Sequence, residues 1–92
     1  MARVTVSLPS LLAPFAEASQ VELEAKSVGE ALAVLTRKIP VLLQLLFDEK
    51  GVLREHVLCF HNGENIRWYP EGLEHLVQAG DDLTIIQAVA GG

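Results

Sequence analysis

Ninety-two residues, half of them apolar, with a net charge of −5, describe one small domain with a modest core. The acids are spread along the chain, which argues against a nucleic-acid partner and its concentrated basic footprint; acidity suits docking onto a basic surface. A single cysteine, Cys59, excludes an internal disulfide and a two-cysteine zinc site.

Arg3-Val4-Thr5-Val6-Ser7-Leu8 alternates strictly, with Val4, Val6 and Leu8 on one side, the period-two mark of a half-buried strand. Pro9 ends it, and residues 9–19 form a connection around Pro14-Phe15. Gln20 to Ala25 alternates again and predicts a second strand paired with the first. Ser27-Val28-Gly29-Glu30 reads as a capping box that opens a helix over about 28–38. Val28, Ala31, Leu32 and Leu35 supply its apolar stripe, Arg37 and Lys38 suit its C-terminal dipole, and Pro40 stops it. Residues 41–47 suggest a further short helical piece under the core, and Asp48-Glu49-Lys50-Gly51 a turn.

His56 to His61 predicts a third strand, with Val57, Cys59 and His61 on the inner side and Leu58 and Phe60 on the outer. Asn62-Gly63 is a tight-turn dipeptide, and Glu64 to Trp68 is expected to return as a short fourth strand. Tyr69 to Gly72 breaks it, and Leu73 to Val77 predicts one helical turn. After Gly80-Asp81-Asp82, Leu83 to Gln87 makes the last strand, with Leu83 and Ile85 inner and Ile86 outer. Trp68, Phe15, Phe47 and Phe60 are expected to add bulk to a core built mainly from Leu, Val and Ile.

One good helix across one face of a mixed sheet of about five strands is an α+β domain. The first and last strands are expected to lie against each other in its middle. The boundaries follow: 1–87 as the domain, and 88–92 as an extended C-terminal Gly-Gly tail. Ala88, Val89, Ala90 and Gly91 are small, and glycine lacks a Cβ, so this arm is thin enough to thread into another protein's active site. Five extended residues reach roughly 17 Å.

No apolar stretch approaches the roughly 18 residues of a membrane span; the longest, 41–47, is broken by Gln44. The first residues lack the layout of a secretory signal. The expectation is a cytoplasmic protein with neither membrane nor nucleic acid as partner.

The whole pattern resembles the ubiquitin-like β-grasp sulfur carriers, the family of molybdopterin-synthase small subunits and the thiamine sulfur carrier. The resemblance rests on the Val4-Thr5-Val6 strand, the Ser27-x-x-Glu30 helix start, the Val57–Asn62 strand and turn, and above all the ending. Gly80-Asp81-Asp82-Leu83-Thr84-Ile85-Ile86 followed by Ala88-Val89-Ala90-Gly91-Gly92 is most similar to the cysteine-synthesis carriers of actinobacteria, although Gln87 stands where those often have Pro.

The resemblance implies a function. An ATP-dependent, E1-like activating enzyme adenylates the carboxylate of Gly92, and a sulfur donor converts it to a thiocarboxylate. A biosynthetic enzyme of cysteine, cofactor or thio-natural-product synthesis then admits the tail and takes the sulfur. The carrier itself would be no enzyme, would bind no cofactor and no metal, and would use ATP only through its partner. Leu58, Phe60 and Ile86 would form an exposed apolar docking patch at the root of the tail. The alternative reading is a ubiquitin-like modifier joined to lysines through Gly92; a second alternative is a passive interaction module.

Other chemistry-bearing residues read as ordinary. Cys59 on the inner side acts as a small hydrophobe. His56, His61 and His75 are too scattered for a helical metal pair, Glu22 and Glu24 share a solvated strand face, Gly29 opens no phosphate loop, and Arg67 is a surface residue.

Overall fold

The computed structural model describes residues 1–87; the predicted tail, 88–92, lies outside the described residues. Alternation puts β1 (Ala2–Ser7) and β2 (Gln20–Ala25) side by side and antiparallel, with Val4 opposite Leu23 and Val6 opposite Val21. Between them Leu12 and Ala16 turn inward from a short helix, α1 (Ala13–Ala16), and close one end of the core.

The main helix, α2, spans Val28–Lys38 as the capping residues dictate. Ser27 Oγ accepts from the Glu30 N–H at 3.1 Å. The Glu30 carboxylate reaches one residue further back than a capping box requires and accepts from the Lys26 N–H at 2.7 Å. The free Val28 N–H donates instead to the His75 carbonyl at 3.0 Å, which ties the helix start to the segment before β5. Gly29 permits that approach: a Cβ there would stand 3.0 Å from the Leu73 carbonyl oxygen and 3.2 Å from the Leu73 Cβ. After Pro40 the chain resumes as α3 (Val41–Leu46), which buries Leu42 and Leu46 under the sheet.

β3 (Val57–His61) and β4 (Glu64–Asn65) are joined by Asn62-Gly63, both at positive φ (49° and 89°), the requirement of a two-residue hairpin turn. The expected fourth strand over 64–68 is shorter than the alternation suggests. Asn65 Oδ1 accepts from the Arg67 N–H at 2.9 Å, and this cap turns residues 66–68 into a 3₁₀ helix. Only Ile66 of that segment is buried; Trp68 stands 74% exposed. The expected aromatic bulk is therefore absent from the core. Phe15 is also exposed, Phe47 packs at the margin and Phe60 is half-buried, while the buried cluster is aliphatic apart from Cys59.

A second 3₁₀ turn, Gly72–Glu74, replaces the expected turn over 73–77, and Val77 alone of its end is buried. β5 (Asp82–Gln87) then enters the middle of the sheet, giving the order β2-β1-β5-β3-β4. It runs parallel to β1, with Val6 level with Leu83, and antiparallel to β3, with Cys59 opposite Ile85. The helices cover one face of this sheet and the architecture is a ubiquitin-like β-grasp. No helix among the described residues is long and apolar enough to cross a membrane.

Candidate functional site

The sheet register decides which side chains meet. Val57, Cys59 and His61 of β3 and Leu83 and Ile85 of β5 are buried on the helix-covered face, so Leu58, Phe60, Thr84 and Ile86 occupy the other. Leu58 lies directly across from Ile86, and Phe60 across from Thr84. Leu58 and Phe60 are half-buried, and Ile86 is 41% exposed. The three expected docking residues thus share one face of adjacent strands, next to Gln87, the last described residue. Further along the same face the character changes: Glu22 and Glu24 of β2 are exposed, with Glu22 paired to Arg3 at 3.1 Å. The proposed sulfur-bearing Gly92 and the threading residues Ala88, Val89, Ala90 and Gly91 lie outside the described residues.

β5 is paired with β1 over Asp82–Thr84 and with β3 over Leu83–Gln87, so its last residues are held by the β3 ladder. A further clamp acts at the start of β3. Arg67 is not the idle surface residue that its sequence context suggests: its guanidinium donates to the carbonyls of Arg54 (2.9 Å) and Val57 (3.0 Å). That holds the loop entering β3 beside the end of β5. An open apolar groove of about 260 Å³ is lined by Val52, Leu53, Ile66 and Leu73 among others, and this engaged Arg67 is its only ionisable wall among the described residues.

At the opposite end of the β3–β5 pair is a polar cluster that sequence spacing did not reveal. His61 is 8% exposed. Its Nε2 lies 2.7 Å from Asp81 Oδ2 and its Nδ1 2.9 Å from the Tyr69 hydroxyl. The His75 ring stacks on Tyr69 with centroids 4.0 Å apart and meets His61 edge-on at 5.0 Å. Asn62 and the Gln78 N–H also donate to Asp81. Burial raises the Asp81 carboxyl, but the hydrogen bonds from His61, Gln78 and Asn62 and the charge on His61 outweigh it, and the net shift is downward. The only sequence signal was the turn residues themselves: Asn62 and Asp81 lie in two turns that β3–β5 pairing brings together, so the cluster is a latch between turns. Every buried side-chain polar atom among the described residues has a partner, and no group of three His, Cys, Asp or Glu there is arranged to hold a metal ion. Cys59 lies inside the core, 1% exposed, and burial pushes its thiol up to about 12.

The comparisons agree with this geometry. The ThiS family model matches residues 6–92. The sulfur carrier protein CysO of Mycobacterium tuberculosis is 32% identical over 92 residues, which cover 97% of this chain and 98% of the relative. The solution structure of small archaeal modifier protein 1 from Methanosarcina acetivorans superposes with a TM-score of 0.86 at 36% identity, covering 100% of this chain and 98% of that one. A chain of the Amycolatopsis orientalis BexX/CysO complex superposes with a TM-score of 0.85 at 33% identity, covering 97% and 99% of the two chains. With a family model matching residues 6–92 and a sulfur carrier protein 32% identical along nearly its whole length, the chain belongs to the ThiS family of ubiquitin-like β-grasp sulfur carriers.

Proposed function

We propose that the chain delivers sulfur as a thiocarboxylate on Gly92. A carboxylate is a poor electrophile, so a leaving group must come first. In the activating enzyme a carboxylate oxygen of Gly92 attacks the α-phosphorus of ATP and expels pyrophosphate. A sulfur nucleophile then attacks the acyl carbon of the adenylate and expels AMP, leaving –C(O)S⁻. In an accepting biosynthetic enzyme the thiocarboxylate sulfur bonds to the acceptor substrate, and water then cleaves the acyl C–S bond, which leaves the sulfur on the acceptor and restores the carboxylate. The carrier supplies position, bringing the reacting atom to catalysts that it does not itself contain. The observation that carries the reading is the Ala-Val-Ala-Gly-Gly ending that follows directly on the central strand β5, whose last residues pair with β3. Such pairing gives the chain after Gln87 a defined starting point. The likeness to a chain solved in the Amycolatopsis orientalis BexX/CysO complex supports recognition by a partner protein.

The test is intact-mass measurement after incubation with the activating enzyme, ATP and sulfide. Wild type is expected to gain about 16 Da, one oxygen exchanged for one sulfur. Gly92→Ala and deletion of Gly92 are expected to fold normally and gain nothing; full conversion of either variant overturns the reading. The likeness to small archaeal modifier protein 1 favours a second reading, attachment of the same activated Gly92 to target lysines. Slow-migrating conjugates of tagged carrier that vanish in the Gly92 deletion would establish it.

A further inference from the structure

The end of β5 lies close to an apolar groove with a cation in its wall. Gln87 is opposite Val57 in the β3–β5 ladder. The Val57 carbonyl accepts from Arg67 Nη2 at 3.0 Å, and Arg67 lines the groove together with Val52, Leu53, Ile66 and Leu73. Paired Cα atoms in such a ladder stand about 5 Å apart, so the path from the Gln87 Cα across the Val57 carbonyl to the guanidinium is at most about 11 Å. Among the described residues, both hydrogen bonds of the Arg67 side chain leave from Nη2. Nε and Nη1 remain as donors, so this exposed side chain still offers its charge and its N–H groups to an anion. Val52, on the facing wall, is 56% exposed.

What lies within reach of this groove is the chain's own end. Gly92 is five residues beyond Gln87, a reach of roughly 17 Å when extended, which covers the distance to Arg67 with slack for a bend around the entry to β3. The chemistry is complementary. Ala88, Val89 and Ala90 are small and apolar, Gly91 and Gly92 carry no Cβ, and the last atoms are an anion. The groove offers apolar walls and one cation, with no acid among its described lining residues. Tethering adds an effective concentration that no free peptide has. We propose that the groove is a dock for this terminus, in which the Gly92 carboxylate pairs with Arg67 and Ala90-Gly91-Gly92 lie against Val52, Ile66 and Leu73. The dock is a resting position: a catalyst that needs Gly92 meets only the undocked fraction, and its apparent KM rises by the inverse of that fraction. The proposal stands apart from the sulfur-carrier reading, because its test needs no activating enzyme.

The experiment is amide NMR of the full chain at low ionic strength. Compared are wild type, a chain ending at Ala90, a chain whose Gly92 is a C-terminal amide, and Val52→Glu. The amide form keeps the tail and removes its charge. Val52→Glu sets a carboxylate in the groove and leaves both Arg67 bonds in place; thermal unfolding confirms that it folds. In wild type the Gly91 and Gly92 amides are expected to show order parameters above about 0.6, and in the amide form and Val52→Glu values below it. The Leu53, Ile66 and Leu73 amides and the Arg67 Nε–H are expected to shift between wild type and the chain ending at Ala90, with the amide form shifted in the same direction. Order parameters below about 0.6 in wild type, with those groove resonances unmoved by truncation, overturn the proposal and leave the function reading standing. Shifts confined to Val57, Gln87 and their neighbours overturn it too. So do shifts that grow with protein concentration, which would assign the groove to the tail of a second copy. Failure of Gly92 to take up sulfur overturns the function reading and leaves the dock untouched.

Discussion

Leu58 of β3 and Ile86 of β5 face each other across the antiparallel ladder on the side of the sheet that the helices leave bare. The pair sits within two residues of the end of β5, so a protein that receives the tail meets it early. Leu58→Glu and Ile86→Glu place a charge where a partner would bury an apolar side chain. Both are expected to lower kcat/KM of loading by about tenfold or more while shifting the unfolding midpoint little, because neither residue enters the aliphatic core. Steady-state loading kinetics alongside thermal melts check this; equal loading of wild type and both variants contradicts it.

The latch of Asp81 on His61 makes stability depend on acid. The folded carboxyl titrates below its ordinary value of 3.8, so the folded state binds this proton less readily than the unfolded chain. The stabilisation is therefore present above the unfolded pKa and disappears as the pH falls through the folded one. Urea unfolding of wild type and Asp81→Asn is expected to show wild type more stable at about pH 6, with the difference shrinking toward about pH 2. A difference that stays constant over that range refutes the latch.

Cys59, with its thiol near 12 and its side chain enclosed, is expected to resist a thiol-specific reagent in the native protein and to react fully in denaturant. Cys59→Ala is expected to lose about 1–2 kcal/mol of stability through the small cavity and to load sulfur at the wild-type rate. Rapid native labelling, or loss of loading in a folded variant, would give this residue a chemical part.

Helix propensity favours Ala over Gly at an ordinary helical position by about 1 kcal/mol. Gly29→Ala is nevertheless expected to destabilise, because the new Cβ would press on the Leu73 carbonyl and Cβ, and the Val28–His75 hydrogen bond holds that segment in place. Denaturant midpoints decide the sign. A stabilised variant shows that the Gly72–Glu74 turn can withdraw by a few tenths of an ångström.

The strands, the helix and its caps could be read directly, because alternation, the Ser27–Glu30 pair, Pro40 and Asn62-Gly63 act on neighbouring residues. Parity along β3 and β5 even placed Cys59 and Ile85 inside and Leu58 and Ile86 outside. The fourth strand misled because the alternation of Glu64 to Trp68 is cancelled by one hydrogen bond, Asn65 Oδ1 to the Arg67 N–H. Hydrophobicity misled for Trp68 and Phe15, since burial depends on which side of the sheet or turn a residue reaches.

What the sequence by itself determined is the local grammar and the Gly-Gly ending, properties carried by residues a few positions apart. Only the tertiary structure decided that β5 runs parallel to β1, that Asp81 reaches His61 twenty residues away, and that Arg67 ties down the loop entering β3. Those relations arise from long-range strand pairing, whose partners are chosen by the packing of the whole aliphatic core and by no short stretch of chain.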